Sequence, residues 1–202
     1  MDRGFVQPIV SGIPLCFTPY TIFIVKRNNI YIITGGVGFG KTSLVKELCK
    51  GGRYGEILEL AAELIEEQLK IGGNLIPWID RFAFEQELLK RKIYAFLHAS
   101  SEKIIFSDRG IPDAIPFLRA ENKSIPDDIL EACENYRYNP KVFIVPPWKE
   151  IYVNRPTRPQ TFEESLKLGK ALIEAYEEFG YETIEVPKAN IKKRANFVIK
   201  CL

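Results

Sequence analysis

The chain has 202 residues, 46% hydrophobic and 27% charged, which fits one globular domain with an ordinary core and excludes wholesale disorder or a fibre. Lysine and arginine number 28 against 26 acids, so a net charge of +2 supplies no broad positive field for nucleic acid. A single histidine rules out a histidine-rich metal centre and argues against a Ser-His-Asp triad.

Residues 9–25 are mostly apolar but contain Pro14 and Pro19. Only Arg3 precedes them as a positive charge, and the run is short for a membrane-spanning helix. An extra strand or a packed extension is the expectation for residues 1–28. A loosely ordered tail and a targeting segment are the alternatives. No membrane partner is expected.

The organised domain is read as residues 29–202. Asn29 to Thr34 is a short, β-branched apolar run and predicts a strand. It is followed at once by Gly35, Gly36, Val37, Gly38, Phe39, Gly40, Lys41 and Thr42, which match G-x-x-x-x-G-K-[ST] without a mismatch. A helical pattern then runs from Lys41 to Cys49, and Gly35 to Ser43 are the residues expected at the phosphates. Glycines let the backbone wrap round an anion with its N–H groups turned inward, and the helix start adds a positive dipole end. The Lys41 ammonium can reach the β and γ phosphates of ATP, and the Thr42 hydroxyl can ligate Mg²⁺. A glycine-rich strand-to-helix turn without function is the alternative, but such a turn needs no Lys-Thr at those two places.

Gly51 and Gly52 stop that helix. A second strand is expected around Glu56 to Glu59. A helix follows with Leu60, Leu64, Ile65 and Leu69 on one face, ended by Gly72-Gly73-Asn74. Pro77-Trp78 reads as a turn, with Trp78 packed at a helix start in preference to lining a pocket. A long helix fits residues 80–99, striped by Phe82, Leu89, Ile93 and Phe96. Lys103 to Asp108 is the third strand. Pro112 starts a short helix, and Ile125 to Cys133 supports another. Lys141 to Val145 is the fourth strand, stopped by Pro146-Pro147. Residues 154–160 read as a loop, and Leu168, Leu172, Tyr176 and Phe179 stripe an amphipathic helix. Thr183 to Val186 is the last strand. A basic helix closes the chain, with Lys188, Lys192, Lys193 and Arg194 expected on a solvated face.

Alternating apolar strands and helices predict an α/β fold, a parallel sheet covered on both faces. Ligands of such sheets sit at the carboxyl ends of the strands, where the phosphate loop, Glu59 and Asp108 all fall. Asp108 can hold Mg²⁺ or take a proton from an attacking hydroxyl; a plain helix cap is the alternative. Arg109 can hold a phosphate or pair with a neighbouring carboxylate. Glu59 can contact the acceptor or act as base, or be a solvated residue at a helix start. Arg155 and Arg158, in a proline-flanked loop at about 149–162, can close over the triphosphate and neutralise charge in the transition state. Cys16, Cys49, Cys133 and Cys201 are scattered without a C-x-x-C pair, which suggests a reducing, cytoplasmic setting and no zinc.

The phosphate loop, Glu59 to Ile65, Asp108-Arg109-Gly110, Val142 to Pro147 and the arginine loop together resemble the AAA_28-type predicted ATPases. These are P-loop proteins related to ribosylnicotinamide kinases and, further off, to nucleoside and nucleotide kinases. The resemblance implies a P-loop NTPase fold of three α/β/α layers, whose five-stranded parallel sheet has order 2-3-1-4-5. It also implies acceptor-side helices at about 60–100 and 111–138. The chain departs from the family at Ala62, where arginine is usual, and at Asn154, where aspartate is usual. The function expected is phosphoryl transfer from ATP to a small, nucleoside-like acceptor, with no nucleic-acid partner. An ATPase switch acting on a protein partner is the chief alternative, and a homodimer is compatible with the sequence. A binding module without turnover and a nucleic-acid end kinase are further alternatives.

Overall fold

A computed structural model describes residues 24–152 and 161–202. Five parallel strands form the central sheet: β2 (Ile30–Thr34), β3 (Gly55–Ile57), β4 (Ile105–Asp108), β6 (Lys141–Ile144) and β7 (Glu182–Glu185). Their spatial order is β3-β4-β2-β6-β7. Counted from the strand before the phosphate loop this is the expected 2-3-1-4-5. Seven helices surround it among the described residues: α1 (Lys41–Cys49), α2 (Leu60–Ile71), α3 (Arg81–His98), α4 (Ala114–Ala120), α5 (Asp127–Asn135), α6 (Phe162–Glu178) and α7 (Ile191–Lys200). None of them is long and apolar enough to cross a membrane.

The period of two along each strand sorts the core onto two faces. Ile30, Ile32, Ile105, Val142 and Ile144 point one way and pack with Leu89, Phe96, Leu118, Ile129 and Tyr176 from the helices of that side. Tyr31, Ile33, Phe106, Phe143 and Val145 point the other way, onto Leu44 and Val45 of α1 and Ala195 and Val198 of α7. β2 is buried along its whole length, as a central parallel strand must be.

Two departures concern helix faces. Phe82 was expected in the buried stripe of α3 but is 42% exposed. The helix instead turns Phe84 and Leu88 onto Leu64 of α2, and Leu89 and Phe96 onto the sheet. An α3 serving two neighbours cannot follow a one-sided pattern. α2 buries only Leu64, and Leu69 stays exposed, because one short helix contact covers it.

Residues 1–23 of the amino-terminal extension lie outside the described residues. Just after them, β1 (Val25–Lys26) pairs in parallel with β5 (Tyr136–Arg137), apart from the main sheet. Arg27 then donates to the carbonyls of Phe96, Leu97 and Ala99 at 3.2, 2.8 and 2.6 Å. A guanidinium there satisfies the orphan carbonyls at the end of α3 and complements its dipole.

The chain leaves β2 through Gly35 at a φ of +140°, with the carbonyl of Val145, just past β6, only 2.5 Å from where a Cβ would stand. That obstacle is a backbone carbonyl and cannot rotate away. Gly35→Ala is therefore expected to cost about 2 kcal/mol or more of stability. Urea unfolding measures it, and an unchanged midpoint would contradict the packing described.

Candidate active site

The phosphate loop runs from the buried end of β2 into α1. Gly38 and Gly40 both take φ near +84°, a region that favours glycine. Phe39 is fully buried and packs edge-on against Phe162 at 6.0 Å and against Tyr152 at 6.4 Å. Arg155 and Arg158 lie outside the described residues, but Tyr152 and Phe162, on either side of them, thus both rest on the loop.

Lys41 is buried, and its Nζ donates to the Gly36 carbonyl at 2.9 Å. Burial, helped by the charge on Arg109, pulls its ammonium down to about 8 against the opposing pull of Asp108, Glu59 and Asp113. Thr42 Oγ1 donates to Asp108 Oδ2 at 2.5 Å, which joins α1 to the end of β4. The other oxygen, Asp108 Oδ1, is buried without a hydrogen-bond partner. Burial pushes this carboxyl above its ordinary range, with Lys41 opposing. A hydroxyl and a carboxylate with one orphaned buried oxygen are hard donors that fit Mg²⁺. Among the described residues no group of three His, Cys, Asp or Glu could hold a metal alone. Mg²⁺ at Thr42 and Asp108 would take its remaining ligands from phosphate and water. Ser43, the last residue expected at the phosphates, is exposed at the start of α1.

Arg109 sits in the left-handed region at φ +76°, where a bulky residue is strained by roughly 1–3 kcal/mol. Its Nη1 donates to Asp113 at 2.8 Å and its Nε to Glu59 at 3.2 Å. The carboxylate-pairing alternative describes its state. Asp113 went unremarked in the sequence, yet it is the most heavily bonded group of the site. Its Oδ1 accepts from Thr34 Oγ1 at 2.7 Å and from Arg109. Its Oδ2 accepts from the Gly110 amide at 2.9 Å and the Tyr176 hydroxyl at 2.5 Å. The only local signals were its place four residues after Arg109 and the turn marked by Pro112.

Beside this network lies a cavity of about 260 Å³. Val37 and Glu59 border it on the phosphate-loop side, and Trp78, Arg81, Glu85 and Phe117 on the side of the helices. Trp78 is 52% exposed and lines this cavity, contrary to the packing role expected of it. Glu85, Lys92 and Arg81 repeat on one face of α3, a polar stripe hidden from a search for apolar periodicity. Glu85 is buried, and that burial raises its carboxyl above the usual range against the pull of Lys92 and Arg81. Lys92 Nζ donates to the Gly110 carbonyl at 2.7 Å, and its ammonium is lowered by burial. Arg81 pairs with Glu121 at 2.7 Å and Glu85 at 3.4 Å. His98 is on the surface, stacked on Tyr94 at 3.9 Å.

The family model AAA_28, described as an AAA domain, matches residues 30–194. Among solved structures the chain is similar to a deoxyadenosine kinase from M. mycoides with the products dCMP and dCDP bound. That likeness has a TM-score of 0.61 at 15% identity and covers 85% of this chain and 97% of the other. It is also similar to a shikimate kinase from Acinetobacter baumannii in complex with shikimate, with a TM-score of 0.52 at 18% identity, covering 89% of this chain and 93% of the other. At these identities the likeness is one of fold, a kinase-like P-loop architecture. Among curated proteins no sequence matches the chain.

Removing the Asp113 carboxylate leaves the Arg109 guanidinium buried beside Glu59 alone, so Asp113→Ala is expected to cost about 3–5 kcal/mol at neutral pH. Burial by itself would raise this carboxyl, but Arg109, Lys92, the Gly110 amide and Tyr176 hold it below its ordinary range. Its contribution is therefore complete above the unfolded value of about 3.9 and fades as pH falls through the lower folded value. In urea titrations the gap between wild type and Asp113→Ala should narrow below about pH 4. A constant gap would contradict an ionised Asp113.

Proposed function

The chain belongs to the AAA_28 family of AAA domains, and on that premise we propose that it is an ATP- and Mg²⁺-dependent phosphotransferase. It would move the γ-phosphate to a hydroxyl of a small, neutral, nucleoside-like acceptor. The observation that carries this reading is the 260 Å³ cavity that shares Val37 and Glu59 with the phosphate-loop side of the site. A molecule held there would have its hydroxyl next to the end of a triphosphate held by the loop. An ATPase that only switches has no use for such a chamber.

The cavity's charges favour a neutral guest. Glu59, Glu66, Glu85, Asp113 and Glu121 outnumber Arg81, Lys92 and Arg109 along its wall. All three cations are engaged, Arg81 and Arg109 with carboxylates and Lys92 with the Gly110 carbonyl. An acceptor carrying phosphate or carboxylate would meet this excess of negative charge, whereas a nucleoside presents hydroxyls to the acids and a flat ring to Trp78 and Phe117.

In the reaction, backbone amides of residues 35–42 and the Lys41 ammonium bind the phosphates, and Lys41 leaves the Gly36 carbonyl to do so. Thr42 and Asp108 would hold Mg²⁺, which shields charge on the β and γ phosphates. Glu59, kept in orientation by Arg109, accepts the acceptor's hydroxyl proton as its oxygen attacks the γ phosphorus. The bond to the β–γ bridging oxygen breaks and ADP leaves. With Asp108 assigned to Mg²⁺, Glu59 is the carboxylate proposed as base. Arg155 and Arg158 are proposed to neutralise charge on the transferring group, and Arg109 to position Glu59.

The test is ATP consumption with neutral nucleosides, nucleoside monophosphates and carboxylate-bearing alcohols, with product analysis. A neutral nucleoside should be phosphorylated. Lys41→Ala should lower the rate by about 10²–10³-fold and Glu59→Gln by about 10²–10⁴-fold. Equal consumption with and without every acceptor would overturn the kinase reading in favour of a switch.

A further inference from the structure

The last helix carries a charge that the reaction above does not use. Lys188, Lys192 and Lys193 are exposed, as a solvated basic face requires, but Arg194 is only 3% exposed. It reaches from α7 to the outside of the phosphate loop. Its Nη2 stands 3.5 Å from the Phe39 carbonyl, at the long limit of a hydrogen bond. Its Nη1 lies 3.3 Å from where a Cβ on Gly40 would stand. Its Nε is buried with no hydrogen-bond partner. Among the described residues no carboxylate pairs with it, and burial is the sole influence found on its proton affinity, lowering it.

A buried guanidinium with one weak contact carries a heavy desolvation cost, and buried charges in proteins are normally paired. Every other buried arginine or lysine of the site has a shorter partner: Lys41, Lys92 and Arg109 bond at 2.9, 2.7 and 2.8 Å. Among the described residues the Arg194 side chain has one hydrogen bond, to the carbonyl of the Phe39–Gly40 peptide. In a trans peptide the carbonyl and the following N–H point to opposite sides. A cation on the Phe39 carbonyl therefore turns the Gly40 N–H away from α7. At Gly40 the chain also enters α1, whose amino-terminal dipole favours an anion.

We propose that Arg194 is a nucleotide-positioning residue, whose guanidinium backs the Phe39–Gly40 peptide from outside the loop and whose counter-charge is the polyphosphate bound on the other side. This rests on the phosphate-loop reading above and deepens it by adding a group from the far end of the chain. It does not depend on the acceptor or on turnover.

The test compares wild type with R194M, R194K and the surface control K193M, by thermal unfolding and by calorimetric titration with ADP and with ATP plus Mg²⁺. R194M replaces an uncompensated charge by an apolar chain of similar length. It should leave the melting temperature of the protein alone unchanged or higher, while weakening nucleotide binding about 10- to 100-fold and shrinking the nucleotide-induced thermal shift. R194K keeps the charge without the planar fork and should lose less, and K193M should match wild type. Tight nucleotide binding by R194M overturns the proposal, as does an R194M that fails to fold while R194K folds and binds normally. Either outcome leaves the phosphate-loop reading standing. Absence of binding by wild type itself would overturn both.

Discussion

The buried carboxylate of Asp113 accepts from Thr34 at the end of β2, from Gly110 and Arg109 in the turn after β4, and from Tyr176 on α6. One side chain thus ties the two central strands to a helix at the edge where the chain must present charge. Arg109 can hold its left-handed conformation because Asp113 and Glu59 bind its guanidinium from two directions. Glu59 is held in turn at the rim of the cavity. Without that carboxylate the positions of base, turn and phosphate-loop strand would become independent of one another.

The wider constraint is that a parallel sheet brings ionisable groups together where water is scarce. Among the described residues Lys41, Glu85, Lys92, Asp108, Arg109, Asp113 and Arg194 are all buried. Such burial is tolerated where charges pair or carry hydrogen bonds. Arg109 and Asp113 pair with each other, Lys92 joins them through the Gly110 peptide, Glu85 pairs with Arg81, and Lys41 bonds to the Gly36 carbonyl. The other two, Asp108 with one orphaned oxygen and Arg194 with its orphaned nitrogen, flank the phosphate loop. On the proposed function, those unmet valences are the ones that a metal and a polyphosphate would satisfy.

Sequence reasoning reached this architecture because its signals are local. Eight consecutive residues spell the phosphate loop, and β2, β4 and β6 belong to short apolar runs closed by Gly, Pro or a polar residue. The acids at strand ends follow from the sheet being parallel. What stayed hidden depends on contacts across the fold. Asp113 looks like an ordinary turn residue until Thr34 and Tyr176, 79 and 63 positions away, are seen to converge on it. Trp78 reads as a helix-start residue because nothing nearby reveals the cavity it faces. Glu85 and Lys92 are polar residues on a buried helix face, which an apolar stripe cannot detect. Arg194 sits among lysines that are solvated, and only the packing of α7 on α1 distinguishes it.

The most direct test of the central claim is a crystal structure of the chain with Mg²⁺ and a non-hydrolysable ATP analogue. The account predicts the β phosphate within residues 35–42, Lys41 released from the Gly36 carbonyl, and the metal between Thr42 and Asp108. A nucleotide bound elsewhere, or a Lys41–Gly36 bond that persists beside a bound triphosphate, would contradict it.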